Sequence, residues 1–272
     1  MPPIGYLAER IAGSHAVVRV LIAGAQDPHT FEPSPSQVLA LSRARLYLNS
    51  HLPFETRLLG KISGQTTRLN VVDLLEGVDR LPVDDAQGHD HDHSCGDEHF
   101  DVHAWLGPAQ LRVLAQNICR ALTAEDPAHA DDYRAHLESF LAELEGLRMS
   151  IAGRLAPYAG RRFFVYHPAF GYFAAAFHLE QVAVETGGKS PTPKRVRSLI
   201  HQAIAEHVNV VFVQPQYAAH AASALAECIA GRVVPVDPLA ADVLENLRRI
   251  AGHLEEAFLL QDKSRMTNEP AA

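Results

Sequence analysis

Short apolar runs alternate with longer segments of helical periodicity along this chain. Five runs rich in Val, Ile, Phe and Tyr predict β-strands, at residues 17–23, 45–48, 161–166, 208–213 and 232–236. Four positions combine an N-cap residue with a Pro at the first helical position, and each predicts a helix start: Ser34, Gly107, Asp126 and Thr192. Strands that alternate with helices predict an α/β fold of mainly parallel sheets flanked by helices.

The longest helical pattern covers residues 127–155 and ends before Pro157. Its apolar positions follow a spacing of three and four residues: Tyr133, Leu137, Phe140, Leu141, Leu144, Leu147, Ile151 and Leu155. At 1.5 Å per residue such a helix is roughly 43 Å long, which is more than a crossover in a small α/β lobe requires. We therefore predict a linking helix over 127–156 that bridges an N-terminal lobe, 1–126, and a C-terminal lobe, 157–272.

Composition narrows the classes of function. The chain has 272 residues, 47% of them apolar, and a net charge of −8. Seven acidic residues and neither Lys nor Arg fall between positions 84 and 101, so the rest of the chain is close to neutral. A general nucleic-acid binder would need a basic surface, and no apolar run is long enough to span a membrane. The first residues also lack the pattern of a signal peptide.

Histidines provide the candidate chemistry, since the chain has 16 of them. His29, His167 and Asp237 each come just after a predicted strand, where α/β sheets bind their ligands, and His103 precedes the helix that begins near Pro108. Any one of these histidines alone would more often be an ordinary turn or cap residue. The repeated context, with two residues from each lobe, predicts one zinc ion held between the lobes by three imidazoles and one carboxylate.

A second group of histidines falls in the acidic segment 84–101, which has almost no residues that could be buried. We predict a loop here, with a secondary metal site formed by His89, His91, His93 and His99. Cys95 could add a thiolate to it. The alternatives are a solvated loop with no role and a fragment that resembles a purification tag.

Several catalytic and nucleotide-binding motifs fail. Gly187-Gly188-Lys189-Ser190 resembles part of a phosphate-binding loop, but the required first glycine is Ala183. His99 and His103 have the spacing of a zinc-peptidase motif without its Glu. No activated nucleophile with an adjacent base is recognisable, so we predict that the chain is not an enzyme.

Four ordered segments resemble the metal-specific solute-binding proteins of bacterial ABC transporters (the metal-binding cluster A-I family), and specifically their zinc branch. The segments are 26–33 (QDPHTFEP), 101–108 (DVHAWLGP), 166–173 (YHPAFGYF) and 236–239 (VDPL). Segments 190–194 (SPTPK) and 213–216 (VQPQ) are also similar to the family, as is the His-rich insertion before the second ligand. Val102 and Gly107 depart from the second ligand segment of the family.

This resemblance implies a high-affinity zinc-binding protein, periplasmic or tethered to the cell surface, that delivers Zn²⁺ to an ABC permease. It implies two lobes bridged by a long helix, and we expect a monomer. Family members carry an export signal and a first strand, and on this comparison that strand would be ending at Pro2-Pro3-Ile4-Gly5-Tyr6.

The ligand set favours zinc, because manganese members of the family are expected to have a carboxylate at the position of His167. Glu32 and Asp101 are candidates to orient the ligand imidazoles, although Glu32 could equally be a helix cap. Two alternatives stay open. One is a zinc-dependent hydrolase, in which Asp237 does not ligate and water occupies the fourth position. The other is a cytosolic zinc chaperone.

Overall fold

The computed structural model describes residues 1–22, 26–62, 68–82, 100–185, 191–217 and 220–268. Its helices are α1 (Pro2–Ala12), α2 (Pro35–Leu41), α3 (Pro53–Ile62), α4 (Pro108–Glu125), α5 (Ala130–Leu155), α6 (Gly171–Ala176), α7 (Pro193–Ala205), α8 (His220–Cys228) and α9 (Val243–Asn268). Its strands are β1 (Leu46–Asn49), β2 (Asn70–Asp73), β3 (Arg162–Val165), β4 (Glu180–Ala183), β5 (Val210–Val213) and β6 (Arg232–Pro235). Every pair of neighbouring strands is parallel, so the predicted α/β class is confirmed.

The chain divides into two compact units, and the division falls within α5. Among the described residues, the N-terminal unit comprises 1–82, 100–146 and Leu239–Val243, and the C-terminal unit comprises Leu147–Pro238 and 244–268. Helix α9 likewise begins in the first unit and continues in the second. No helix in the described ranges is both long and apolar enough to cross a membrane.

The N-terminal unit contains a two-stranded parallel sheet in which Leu46 pairs with Asn70 and Asn49 pairs with Asp73. Helix α4 packs beside β2, where the Asn117 side chain donates to the backbone carbonyls of Leu74 and Glu76, both at 2.9 Å. This amide therefore connects the chain after the carboxyl end of β2 to the helix that follows His103.

Helix α1 is an element that we did not predict. Ile4, Leu7, Ala8 and Ile11 recur at helical spacing and are all buried, so the segment 2–6 does not end a strand. The predicted strand at 17–23 is wrong over its described residues, 17–22, which have no regular structure. Their β-branched residues favour a strand, but a strand forms only where a neighbour completes its hydrogen bonds, and Val17 is instead 87% exposed.

The C-terminal unit contains a four-stranded parallel sheet in the order β4-β3-β5-β6. Strand β5 is buried at all four positions because it lies inside the sheet, whereas the outer strands β4 and β6 are largely half-exposed. Leu199 of α7 and Leu225 of α8 pack against Val211 in one hydrophobic cluster. The sequence predicted β3, β5 and β6, but it missed β4 here and β2 in the other unit.

The predicted helix starts are largely confirmed. Ser34 Oγ accepts from the Gln37 N–H at 3.4 Å, and Thr192 Oγ1 accepts from the Arg195 N–H at 3.3 Å. Gly107 precedes α4 as expected. Asp126 instead precedes a short 3₁₀ turn, Pro127–His129, so the long helix begins at Ala130 and has 26 residues.

Candidate metal centre

His29 lies in a turn that Asp27 stabilises. The backbone N–H of His29 donates to Asp27 Oδ1 at 2.9 Å, and the Thr30 hydroxyl donates to Asp27 Oδ2 at 3.3 Å. An Asp that accepts from the N–H two residues later mimics a backbone turn. Pro28 and Phe31 are buried while His29 is half-buried, so the turn is anchored and the imidazole is still reachable.

His103 directly precedes the short 3₁₀ turn Ala104–Leu106 and is held by the side chain of Asp101. Asp101 Oδ1 accepts from the backbone N–H of His103 at 2.9 Å and lies 2.7 Å from its Nδ1. A carboxylate at Nδ1 favours the tautomer in which Nδ1 carries the proton, and Nε2 then presents its lone pair to a metal. Trp105 packs edge-on against the same ring, with 5.2 Å between centroids.

His29 and His103 lie together in the N-terminal unit. Their ring centroids are 6.0 Å apart, and one nitrogen of each ring lies within 4.8 Å of one nitrogen of the other. Two imidazole nitrogens on one tetrahedral zinc would be about 3.4 Å apart, given Zn–N bonds of about 2.0–2.1 Å. The nitrogens of these two residues, the N-terminal pair, are therefore near enough for one metal ion to bind both.

Of the three predicted histidine ligands, His167 is the one most enclosed by its partners. Its Nδ1 lies 2.6 Å from Glu185 Oε1, and its ring stacks on Tyr217 with 4.8 Å between centroids. Gln214 holds the backbone, since its Oε1 accepts from the His167 N–H at 3.1 Å and its Nε2 donates to the His167 carbonyl at 2.7 Å. The buried Glu185 carboxylate again directs Nε2 toward a metal.

Asp237 is held both at its carboxylate and at its backbone. Gln216 Nε2 donates to Asp237 Oδ1 at 2.8 Å, and Asn246 Nδ2 donates to the Asp237 carbonyl at 2.8 Å. The preceding Val236 is buried, whereas Asp237 itself is half-buried. We call His167 and Asp237 the C-terminal pair.

The parallel sheet explains why these partners of the C-terminal pair lie in one region. His167, Glu185 and Asp237 each come two residues after a strand, namely β3, β4 and β6, and Gln214 directly follows β5. The carboxyl ends of parallel strands meet at one edge of the sheet, so residues far apart in sequence gather there. That edge supplies imidazole, carboxylate and amide groups together.

Sequence reasoning missed Glu185, Gln214, Gln216 and Tyr217 as partners of the predicted ligands. Glu185 could have been found, because it has the same offset from its strand as His167, but β4 itself was not recognised. Glu32 is exposed and makes no hydrogen bond among the described residues, while Asp101 contacts His103 directly. The predicted loop site, His89, His91, His93 and His99, lies outside the described residues, as does Cys95.

The chain is similar to known proteins of zinc uptake. A family model described as zinc-uptake complex component A, periplasmic, matches residues 1–257. The chain is 27% identical over 262 residues to the high-affinity zinc uptake system protein ZnuA of Yersinia pestis, covering 89% of this chain and 82% of that protein. A crystal structure of ZnuA aligns with a TM-score of 0.86 and 34% identity, covering 94% of this chain and 96% of the other. A zinc-bound deletion mutant of ZnuA aligns with a TM-score of 0.85, also at 34% identity, covering 94% and 95%.

Proposed function

This chain belongs to the family of periplasmic zinc-uptake component A proteins, and we propose that it binds one zinc ion through His29, His103, His167 and Asp237. It is the zinc-binding component of an ABC-type zinc uptake system. The family consists of substrate-binding transport proteins rather than enzymes, so the zinc is cargo to be released and not a resident cofactor.

One feature shared by the two pairs is the main support for the assignment of the ligands. His103 and His167 each have Nδ1 against a buried carboxylate, at 2.7 and 2.6 Å respectively. This arrangement fixes the tautomer and the ring plane and makes the opposite nitrogen more basic, as is typical of zinc-ligating histidines. His129 also has Nδ1 against a carboxylate, Asp126 Oδ2 at 2.6 Å, but that carboxylate is only half-buried, so the burial of the carboxylate is what distinguishes His103 and His167.

The donor set also supports zinc as the cargo. Three neutral imidazoles and one carboxylate form the four-coordinate shell that Zn²⁺ favours, whereas Mn²⁺ is better suited by more oxygen donors and six ligands. In this proposal Asp237 completes the shell and excludes water from the fourth position. An open fourth position would instead be the arrangement of a zinc hydrolase.

The family is periplasmic and belongs to a zinc-uptake complex, which supports a location outside the cytoplasmic membrane and an ABC permease as partner. This favours the uptake function over the cytosolic chaperone considered above. We further propose that the protein acts as a monomer and that it delivers zinc directly to the permease. The His-rich loop stays a prediction for a second, weaker zinc site, and deleting residues 84–99 should leave the tight site intact.

Zinc titration by calorimetry tests the ligand set. We expect one tight site in the wild type and a loss of more than about 100-fold in affinity for His103→Ala and His167→Ala, because losing a ligand should exceed the 10–100-fold effect of losing an outer partner. His29→Ala and Asp237→Ala should also weaken binding. His201→Ala, an exposed histidine on α7, is the matched control and should bind as the wild type does. Wild-type affinity in His167→Ala would overturn the proposal.

A further inference from the structure

Three of the four residues that follow β5, Gln214, Gln216 and Tyr217, contact the C-terminal pair. Gln214 and Tyr217 hold the backbone and the ring of His167, as described above. Gln216 instead donates to the carboxylate of Asp237. A single short segment thus positions both the imidazole of His167 and the carboxylate of Asp237. Of its residues, Gln216 is the one that affects how Asp237 can bind a metal.

We propose that Gln216 is a positioning residue that restricts Asp237 to one metal-binding oxygen and so favours zinc over cations that take more oxygen ligands. This inference rests on the proposed function, because it requires Asp237 to be a ligand. It assigns to Gln216 a role in selectivity for the metal and not in the formation of the site.

The orientation of the Gln216 amide supports this role. Its Nε2 lies 2.8 Å from Asp237 Oδ1, whereas its Oε1 is buried with no hydrogen-bond partner in the described part of the chain. The reverse orientation would place two oxygen acceptors 2.8 Å apart, so the amide must act as the donor to Asp237. A buried acceptor without a partner destabilises the fold, and protein stability therefore does not explain this arrangement.

The backbone of Asp237 is also held in place beside the amide. Its carbonyl accepts from Asn246, and the residue before it, Val236, is buried. The Gln216 hydrogen bond takes one of the two acceptor positions of Oδ1 and draws charge from it, so Oδ1 is a weaker second ligand for a metal already bound to the other oxygen. Binding through a single oxygen leaves that hydrogen bond in place.

The number of oxygens taken from Asp237 decides the coordination number. With three imidazoles, one oxygen makes a four-coordinate shell, which suits Zn²⁺. Two oxygens would make a five-coordinate shell richer in oxygen, closer to what Mn²⁺ favours. The Gln216 amide should therefore penalise Mn²⁺ more than Zn²⁺.

The test replaces the amide by a side chain of similar length that cannot donate. In Gln216→Met we expect the ratio of zinc to manganese affinity to fall about 10-fold, the lower end of effects measured for outer partners of metal ligands. Bound Co²⁺ should lose visible absorption intensity, since four-coordinate Co²⁺ absorbs more strongly than five- or six-coordinate Co²⁺. Gln202→Met is the matched control, because Gln202 on α7 is hydrogen-bonded to Glu206 at 3.2 Å and lies outside both pairs.

A double-mutant cycle with Asp237→Ala separates positioning from general damage to the fold. If Gln216 acts through Asp237, Gln216→Met should have no further effect on the affinity ratio once Asp237 is alanine. Gln216→Ala, which cannot overpack the site, should reproduce the same pattern.

The outcomes distinguish this inference from the proposed function. If Asp237→Ala weakens zinc binding but Gln216→Met changes neither the affinity ratio nor the Co²⁺ spectrum, the inference is wrong and the ligand set stands. If Asp237→Ala binds zinc like the wild type, the ligand set fails at Asp237 and the inference fails with it. An equal effect of Gln216→Met in both backgrounds also overturns the inference.

Discussion

The two pairs of candidate ligands are positioned by opposite means. In the N-terminal pair the partners are local, since Asp27 and Asp101 each hold the histidine two residues later. In the C-terminal pair the partners come from other strands, and Glu185 and Gln214 are 18 and 47 residues from His167. Both pairs thus place a carboxylate at the Nδ1 of a histidine. The N-terminal pair does so through a turn and the C-terminal pair through a parallel sheet.

This difference has consequences for how each pair tolerates mutation. In the N-terminal pair Asp27 is half-buried, so water can replace its side chain, whereas Asp101 is buried with 9% exposure. At the edge of the sheet the partners Glu185 and Gln214 are buried more deeply, at 3% and 1% exposure, and a lost side chain leaves polar groups without solvent. We expect the C-terminal pair to be the more sensitive of the two.

Removing the orienting carboxylates should give the largest difference in zinc affinity between the two pairs. We expect Glu185→Ala to weaken zinc binding toward 100-fold and Asp101→Ala to weaken it nearer 10-fold, within the range for outer partners of a metal ligand. Glu185 is 3% exposed and Asp101 is 9% exposed, so water substitutes less readily for Glu185. Competition with a chelating dye measures both affinities.

Two exposed acids serve as controls for these variants. Glu180→Ala changes the same residue type on β4, and Asp79→Ala changes an exposed Asp of the N-terminal unit. Both should bind zinc with wild-type affinity. A larger loss for Asp101→Ala than for Glu185→Ala would reverse the comparison between the pairs.

The backbone supports of the two histidines should differ in their effect on the stability of the zinc-free protein. Gln214 is 1% exposed and satisfies both backbone groups of His167, so we expect Gln214→Leu to lower the free energy of unfolding by about 2 kcal/mol. Asp27→Ala should lower it by about 1 kcal/mol or less, because the turn is half-exposed. Urea denaturation measures both changes, with Gln202→Leu as the control. Equal losses would show that burial does not separate the two supports.

Replacing a tyrosine of the N-terminal unit that belongs to neither pair should have the smallest effect, and only on stability at high pH. Burial, together with a hydrogen bond to Asp126 at 2.9 Å, raises the pKa of Tyr133 from 10.0 to about 12. A raised pKa means that the folded state keeps its proton to higher pH, so stability is fully present below pH 10 and falls as the pH rises toward 12. Tyr133→Phe should flatten this decline in thermal unfolding experiments between pH 10 and 12. Zinc affinity at pH 7 should not change, and a steeper decline in the variant would contradict the assignment.

Much of the fold could be predicted from the sequence, and the failures among the strands share one physical cause. Strands β3 and β5 have strongly apolar residues and are recognisable alone. Strands β2 and β4 are partly polar, and they are strands because a neighbour completes their hydrogen bonds. The segment 17–22 shows the converse, since it is rich in β-branched residues but has no partner strand among the described residues.

The sequence by itself determined the class of fold, the long helix, and the residues proposed to bind zinc, because each of these depends on local pattern and residue type. It also contained the contact between Asp101 and His103, since two residues so close in the chain meet through a turn. Only the tertiary structure decided that Glu185, Gln214 and Gln216 support the C-terminal pair. Those contacts depend on the order of strands in the sheet, and the periodicity of a single strand contains no information about which strand will lie beside it.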